Sequence, residues 1–156
     1  MSNVILLKGD PIAKEYPLAT SKDITPGMLC EITSTGYIQA HSTAGGNASP
    51  LFAQQQFSDP EKDIDDAYTV DAEQVHGILC RPGDEVYAWL ADGQNVARSA
   101  LLESNGAGAL RAHTPPVISE DASGTDVFMR APVVRAIEAV NNSAGGAIAR
   151  IKVEVL

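Results

Sequence analysis

Residues 25–41 read TPGMLCEITSTGYIQAH, and residues 97–113 read ARSALLESNGAGALRAH. Set 72 residues apart, positions 29–41 and 101–113 share Leu29/Leu101, Glu31/Glu103, Gly36/Gly108, Ala40/Ala112 and His41/His113, with Ile38/Leu110 a conservative pair. Each stretch has the pattern of a β-hairpin. A short apolar strand leads to a turn with glycine free to take positive φ, and a second strand returns. The likeness fades outside the two hairpins, so a long solenoid of repeats is not expected.

The rest of the chain follows the same pattern of short strands and close turns. NVILLK (3–8) reads as a strand, or as an arm that becomes one on pairing. The next stretch, broken by Pro11 and Pro17, reads as extended and irregular. After the first hairpin, residues 42–50 form a small-residue loop, and LFAQQQF is a strand candidate. Residues 58–74 are the most acidic part and read as an exposed loop. QVHGILC and EVYAWLA are strands joined by the turn RPGD. In the second of them Val86 and Ala88 alternate with Tyr87 and Trp89, giving one small face and one aromatic face. After the second hairpin, residues 114–126 read as a loop and VFMRAPVVRAIEAV as strand, with a short helix over PVVRAIEAV the alternative. In the closing ARIKVEVL, Ile151, Val153 and Val155 face one way and Arg150, Lys152 and Glu154 the other.

These signals predict an all-β fold, a small β-barrel or β-sandwich of short antiparallel strands with an extended N-terminal arm. Residues 1–24 are the arm, or a first strand with an irregular extended segment, and 25–156 the barrel or sandwich domain. A chain of 156 residues buries enough surface to fold without a metal or disulfide. Cys30 and Cys80 each sit in an apolar run and read as small core residues. A net charge of −9, with no basic patch, argues against direct nucleic-acid binding. No stretch has the apolar length of a membrane span or a secretory leader, so the expectation is a soluble chain made in the cytoplasm.

Catalytic and metal-binding patterns fall short. His41 and His113 recur, but two histidines without clustered cysteine or carboxylate do not make a metal site, and His76 lies in a separate apolar strand. Asp63, Asp65 and Asp66 lack the glycine and terminal glutamate of an EF-hand. No G-x-S-x-G nucleophile elbow or phosphate loop is present. The turn in RPGDEV resembles those of biotinyl and lipoyl carrier barrels, but no hairpin tip carries the lysine such carriers modify. The expectation is a protein that is not an enzyme and has no cofactor and no metal.

Taken in order, DDAY, RPGDEVYAWLA, GQNV…LLESNGAGALR and RAIEAV…RIKVEVL resemble the small capsid decoration (cement) proteins of tailed bacteriophages, over roughly residues 25–156. The resemblance implies a compact β-barrel or β-sandwich, a structural virion protein on the capsid exterior. Its partner would be the major capsid protein, whose neighbouring subunits it would bridge as a homotrimer. It implies no direct contact with nucleic acid or membrane. The candidate capsid contact is the apolar strip Val4, Ile5, Leu6 and Leu7, which would add to a neighbour's sheet edge. The same strip could equally be the barrel's own first strand. Other readings are a head-fibre base or tail-associated barrel, and a ligand-binding or carrier barrel.

Overall fold

A computed structural model describes residues 3–115 and 131–156. Among them there are thirteen strands and no helix: β1 Leu6–Lys8, β2 Ile12–Pro17, β3 Cys30–Ile32, β4 Ile38–Ala40, β5 Leu51–Ala53, β6 Gln74–Leu79, β7 Glu85–Leu90, β8 Asn95–Val96, β9 Leu101–Ser104, β10 Leu110–Ala112, β11 Val134–Ala136, β12 Val140–Asn141 and β13 Ala149–Val155. The all-β barrel expectation holds. The start of the strand expected at 127–140 and most of the loop expected at 114–126 lie outside the described residues.

Strands β7, β10, β9, β11 and β13 form a closed five-stranded barrel, because β13 pairs back onto β7. Side chains of alternate residues fill it. Val86, Ala88 and Leu90 of β7 and Ile151, Val153 and Val155 of β13 are all buried, as the period-two pattern requires. The PVVRAIEAV stretch is strand at Val134–Ala136 and Val140–Asn141, not helix; β-branched residues there face the packed interior.

The first half of the chain builds the same ring. Strand β2 pairs with β6 and β6 with β5. An antiparallel bridge Leu29↔Phe52 joins β5 to the β3–β4 hairpin, and a parallel bridge Leu18↔Ile38 returns to the end of β2. Every one of these pairings has a counterpart in the second half. Cys30↔Ala40 corresponds to Leu102↔Ala112, and Leu18↔Ile38 to the parallel pair Leu90↔Leu110. Leu51↔Leu79 corresponds to Val134↔Val155, Lys14↔Gly77 to Val86↔Val153, and Ile24↔Tyr68 to Val140↔Val96. Loop bonds repeat too: Gly27 N–H donates to Ala53 O, as Ser99 N–H does to Ala136 O. The duplication therefore runs far beyond the two hairpins in which the sequence showed it. It comprises two tandem five-stranded units.

The cores correspond as well. Leu18, Ile24, Cys30, Ile38, Leu51, Ala53 and Val75 of the first unit are matched by Leu90, Val96, Leu102, Leu110, Val134, Ala136 and Ile151 of the second. Where the side chains differ, volume is exchanged across a pair. The second unit sets Ala88 beside Val153, and the first fills the space above Gly77 with Tyr16.

Residues 1–24, expected as an arm or as a first strand with an irregular extended segment, hold strand at Leu6–Lys8 and Ile12–Pro17. Prolines at 11 and 17 had suggested a break. In fact Pro17 closes β2 at a position whose missing N–H would point away from β6, so the ladder loses nothing.

The hairpin turns differ in their surroundings. Gly36 (φ +86°) has open space where a Cβ would sit, whereas a Cβ on Gly108 (φ +77°) would lie 3.0 Å from Ala40 Cβ and 3.1 Å from Met28 Sδ. Gly36→Ala is expected to cost about 1 kcal/mol from left-handed backbone strain alone. Gly108→Ala is expected to cost clearly more, and urea denaturation of the two variants checks the order. The equivalent carboxylates are also testable. Burial works to raise the Glu103 carboxyl, but hydrogen bonds from His113 and Arg111 and the arginine's charge hold it below the usual glutamate range. Its stabilisation is then complete above about pH 4.3, the ordinary glutamate value, and is lost as pH falls through its lower folded value. Melting temperature plotted against pH from 6 to 2 will fall less steeply in Glu103→Gln, compared with its own value at pH 6.

Candidate docking surface

Two free cysteines, three histidines and an acidic cluster were the groups with chemical potential. Cys30 and Cys80 are buried, and burial pushes both thiols up to about 12, so they remain protonated. His41 is buried between the units, with Nδ1 2.7 Å from Ser104 Oγ and Nε2 3.2 Å from Asn47 O. His113 meets Glu103 at 2.8 Å. The repeated histidines thus serve separate polar contacts, each across from its own repeated glutamate. Among the described residues no three His, Cys, Asp or Glu side chains are grouped to hold a metal ion.

The acidic loop is not simply solvated. Residues 55–67 separate Gln54 from Tyr68, where only 138–139 separate their counterparts Ile137 and Val140. The loop is tied internally by Asp63 and Asp66 side chains accepting backbone N–H groups. Its Ile64 is buried in the core shared by the two units. Its main chain at Ile64 and its Asp65 carboxylate accept hydrogen bonds from Arg150 Nη2 of β13.

Arg150 lies at the centre of the junction. Its guanidinium stacks 3.7 Å from the Trp89 ring centroid and 5.5 Å from that of Tyr87. Its Nη1 donates to Pro26 O at 2.8 Å, an oxygen that also accepts from Trp89 Nε1–H at 2.9 Å. Gly27 (φ +89°) lets the chain pass this close, since a Cβ there would lie 2.3 Å from Arg150 Nη1. The aromatic face of EVYAWLA, legible in the sequence, is therefore the seat of the first unit. Arg150, read from the sequence only as facing away from Ile151, Val153 and Val155, is the residue that seats it, because the β7–β13 register sets it opposite Trp89.

The predicted contact strip is woven into this junction. Ile5 is fully buried, its O accepts the Tyr87 N–H at 2.8 Å, and β1 runs antiparallel to β7 with Leu6 opposite Val86. Leu6 and Leu7 pack partly buried against the core, and Val4 is 45% exposed. Within this chain the strip lies as a short strand along β7, outside the five-strand ring, with Val4 at its surface.

A different stretch is open. In β2, Ile12, Ala13, Lys14 and Glu15 are all exposed. Leu18 N–H donates to Glu73 O on the β6 side and Ala19 N–H to Ile38 O on the other, so odd-numbered residues of this strand face away from β6. The backbone groups of Ala13 and Glu15 accordingly lie along a free edge, with none of the described residues paired to it. Beside it, Ala13, Lys14, Glu15, Gln54, His76 and Gly77 line a shallow depression. Glu15 Oε1 is 3.2 Å from His76 Nδ1, and Phe57, 64% exposed, stands edge-on to the same imidazole. Sequence reading missed this edge because its bounding prolines looked like breakers.

Comparison with protein-family models gives no match, and comparison with curated proteins gives none.

Replacing Arg150 with alanine removes the stacking and leaves the Ile64 carbonyl short of a donor, while Pro26 O keeps only Trp89 Nε1–H. A loss of about 3 kcal/mol is expected, and a smaller loss for Arg150→Lys, which keeps charge but not the planar fork. Chemical denaturation of both variants, with Trp89 fluorescence as the probe, measures it.

Proposed function

We propose that this chain is a structural virion protein that binds the exterior of a tailed-phage capsid as a decoration, or cement, protein and stabilises contacts between major capsid protein subunits. The observation that carries the reading is the tandem of barrels locked through Arg150, with exposed backbone and apolar side chains gathered on one flank of the first unit. A clamp between neighbouring shell subunits needs two bodies held at fixed spacing, and the stacked arginine supplies that restraint. The motif order from DDAY to RIKVEVL supports the same reading by its resemblance to cement proteins. The net charge of −9 suits a position outside the shell, away from packaged DNA. Three copies closed by rotation would bring like faces to a threefold point of the lattice. Val4, at the surface end of the N-terminal strip, remains a candidate contact; Ile5, Leu6 and Leu7 would reach a neighbour only by leaving β7.

The test is sedimentation of purified protein with expanded, undecorated heads of the phage that encodes it. Saturable co-sedimentation, with heads made more resistant to heat or dilution, is the expected result. Heads that sediment without the chain at every concentration would remove the proposal.

A further inference from the structure

The duplication assigns an occupant to the open edge of β2. In the second unit the same edge, on β7, is covered. The counterpart of Glu15 is Tyr87, whose N–H donates to Ile5 O, and the counterpart of Lys14 is Val86, which sits opposite Leu6. The covering strand runs antiparallel and is only a few residues long. The two edges share backbone pairings on their other side and at their ends, so they offer a strand the same geometry.

They differ in side chains. Where β7 offers Val86 to an apolar Leu6, β2 offers the exposed ammonium of Lys14. Glu15 Oε1 lies 3.2 Å from His76 Nδ1 of β6, whereas Lys14 makes no ion pair among the described residues and is the cation this edge offers an incoming strand. Pro11 and Pro17 bound the edge and confine pairing to the residues between them. Lys14 also opposes pairing of this edge with itself in the register that brings two copies of residue 14 together.

We propose that the β2 edge from Ile12 to Tyr16 is a strand-acceptor site. It is filled antiparallel by a short extended segment of the major capsid protein that sets an acidic side chain opposite Lys14. The inference rests on the capsid-binding reading and names the element that reading lacks. The backbone of Ala13 and Glu15 supplies the hydrogen bonds, and Lys14 selects the side chain opposite it.

Proline tests the backbone half cleanly. The Ala13 N–H does not belong to the β2–β6 ladder, so Ala13→Pro blocks the edge while leaving the barrel's own pairing intact. Against undecorated heads, Ala13→Pro and Lys14→Glu should each bind at least tenfold more weakly than the parent chain, while Lys14→Arg and the distant charge reversal Lys22→Glu bind as the parent does. Hydrogen exchange in residues 12–16 should slow on head binding, a readout of the parent chain that does not depend on any variant folding. Parent-level binding by Lys14→Glu, or unchanged exchange across 12–16 on saturated heads, would overturn the strand-acceptor site and leave the capsid reading standing. A parent chain that does not bind heads would overturn the capsid reading itself.

Discussion

A single guanidinium, flat against an indole and out of water, organises this molecule. Arg150 arises on the last strand, stacks on Trp89, and hands its N–H groups to main-chain oxygens at Pro26, Tyr87 and Ile64 and to the Asp65 carboxylate. Burial draws its proton affinity down, while Asp65 pulls it back up. An ammonium could not replace it, because several acceptors in different directions need a planar fork and the ring beneath needs a flat cation. The acidic loop, Gly27 and the N-terminal strand each take their place around this group. The loop gives it carbonyl and carboxylate, the glycine gives it room, and Ile5 closes the apolar floor beside it.

The two units show how one backbone plan serves two surfaces. Apart from Lys14 against Val86, inward positions hold similar volumes, by identity or by compensating pairs such as Tyr16 above Gly77 against Ala88 beside Val153. Outward positions diverge in side chain or in surroundings. Leu29, Phe52 and Ile78 of the first unit are buried in the shared core, whereas their counterparts Leu101, Arg135 and Glu154 face water, the last two as an ion pair at 2.7 Å. Tyr87 and Trp89 are buried or half-buried at the junction, and their counterparts Glu15 and Pro17 lie on the open flank. Inward residues set the ring; outward residues decide what each ring touches.

That division explains what the sequence revealed. Alternation inside a strand is local, so the closing strand, the aromatic face of β7 and both hairpins could be read directly. Duplication of a pairing scheme is not local. Lys14 and Val86 share a place in the ladder with no likeness of side chain, and outside the hairpins little beyond Leu18-Ala19 against Leu90-Ala91 hints at it. Strand β2 was hidden by prolines that act as breakers in general and are harmless where the missing N–H faces an open edge. The role of Arg150 was hidden because a polar residue alternating with Ile151 and Val153 reads as solvated until a second body is placed on it. The same holds for Asp65, whose partner lies 85 residues away.

The contact between the two rings is asymmetric. The first unit contributes loops to the junction and the second contributes the β7–β13 face, so the two halves of the contact are unlike. Unlike halves can in principle add units without end, which is how fibres grow. Here the leftover halves do not fit each other. The first unit's exposed counterpart of the seat has Gln74 where the second has Arg150. The second unit's counterpart of the clamping loop is cut to residues 138–139. A third barrel docking in the same way on either described unit would find neither that cation nor that clamp, so the asymmetry makes the Arg150 junction specific to this one pair of rings.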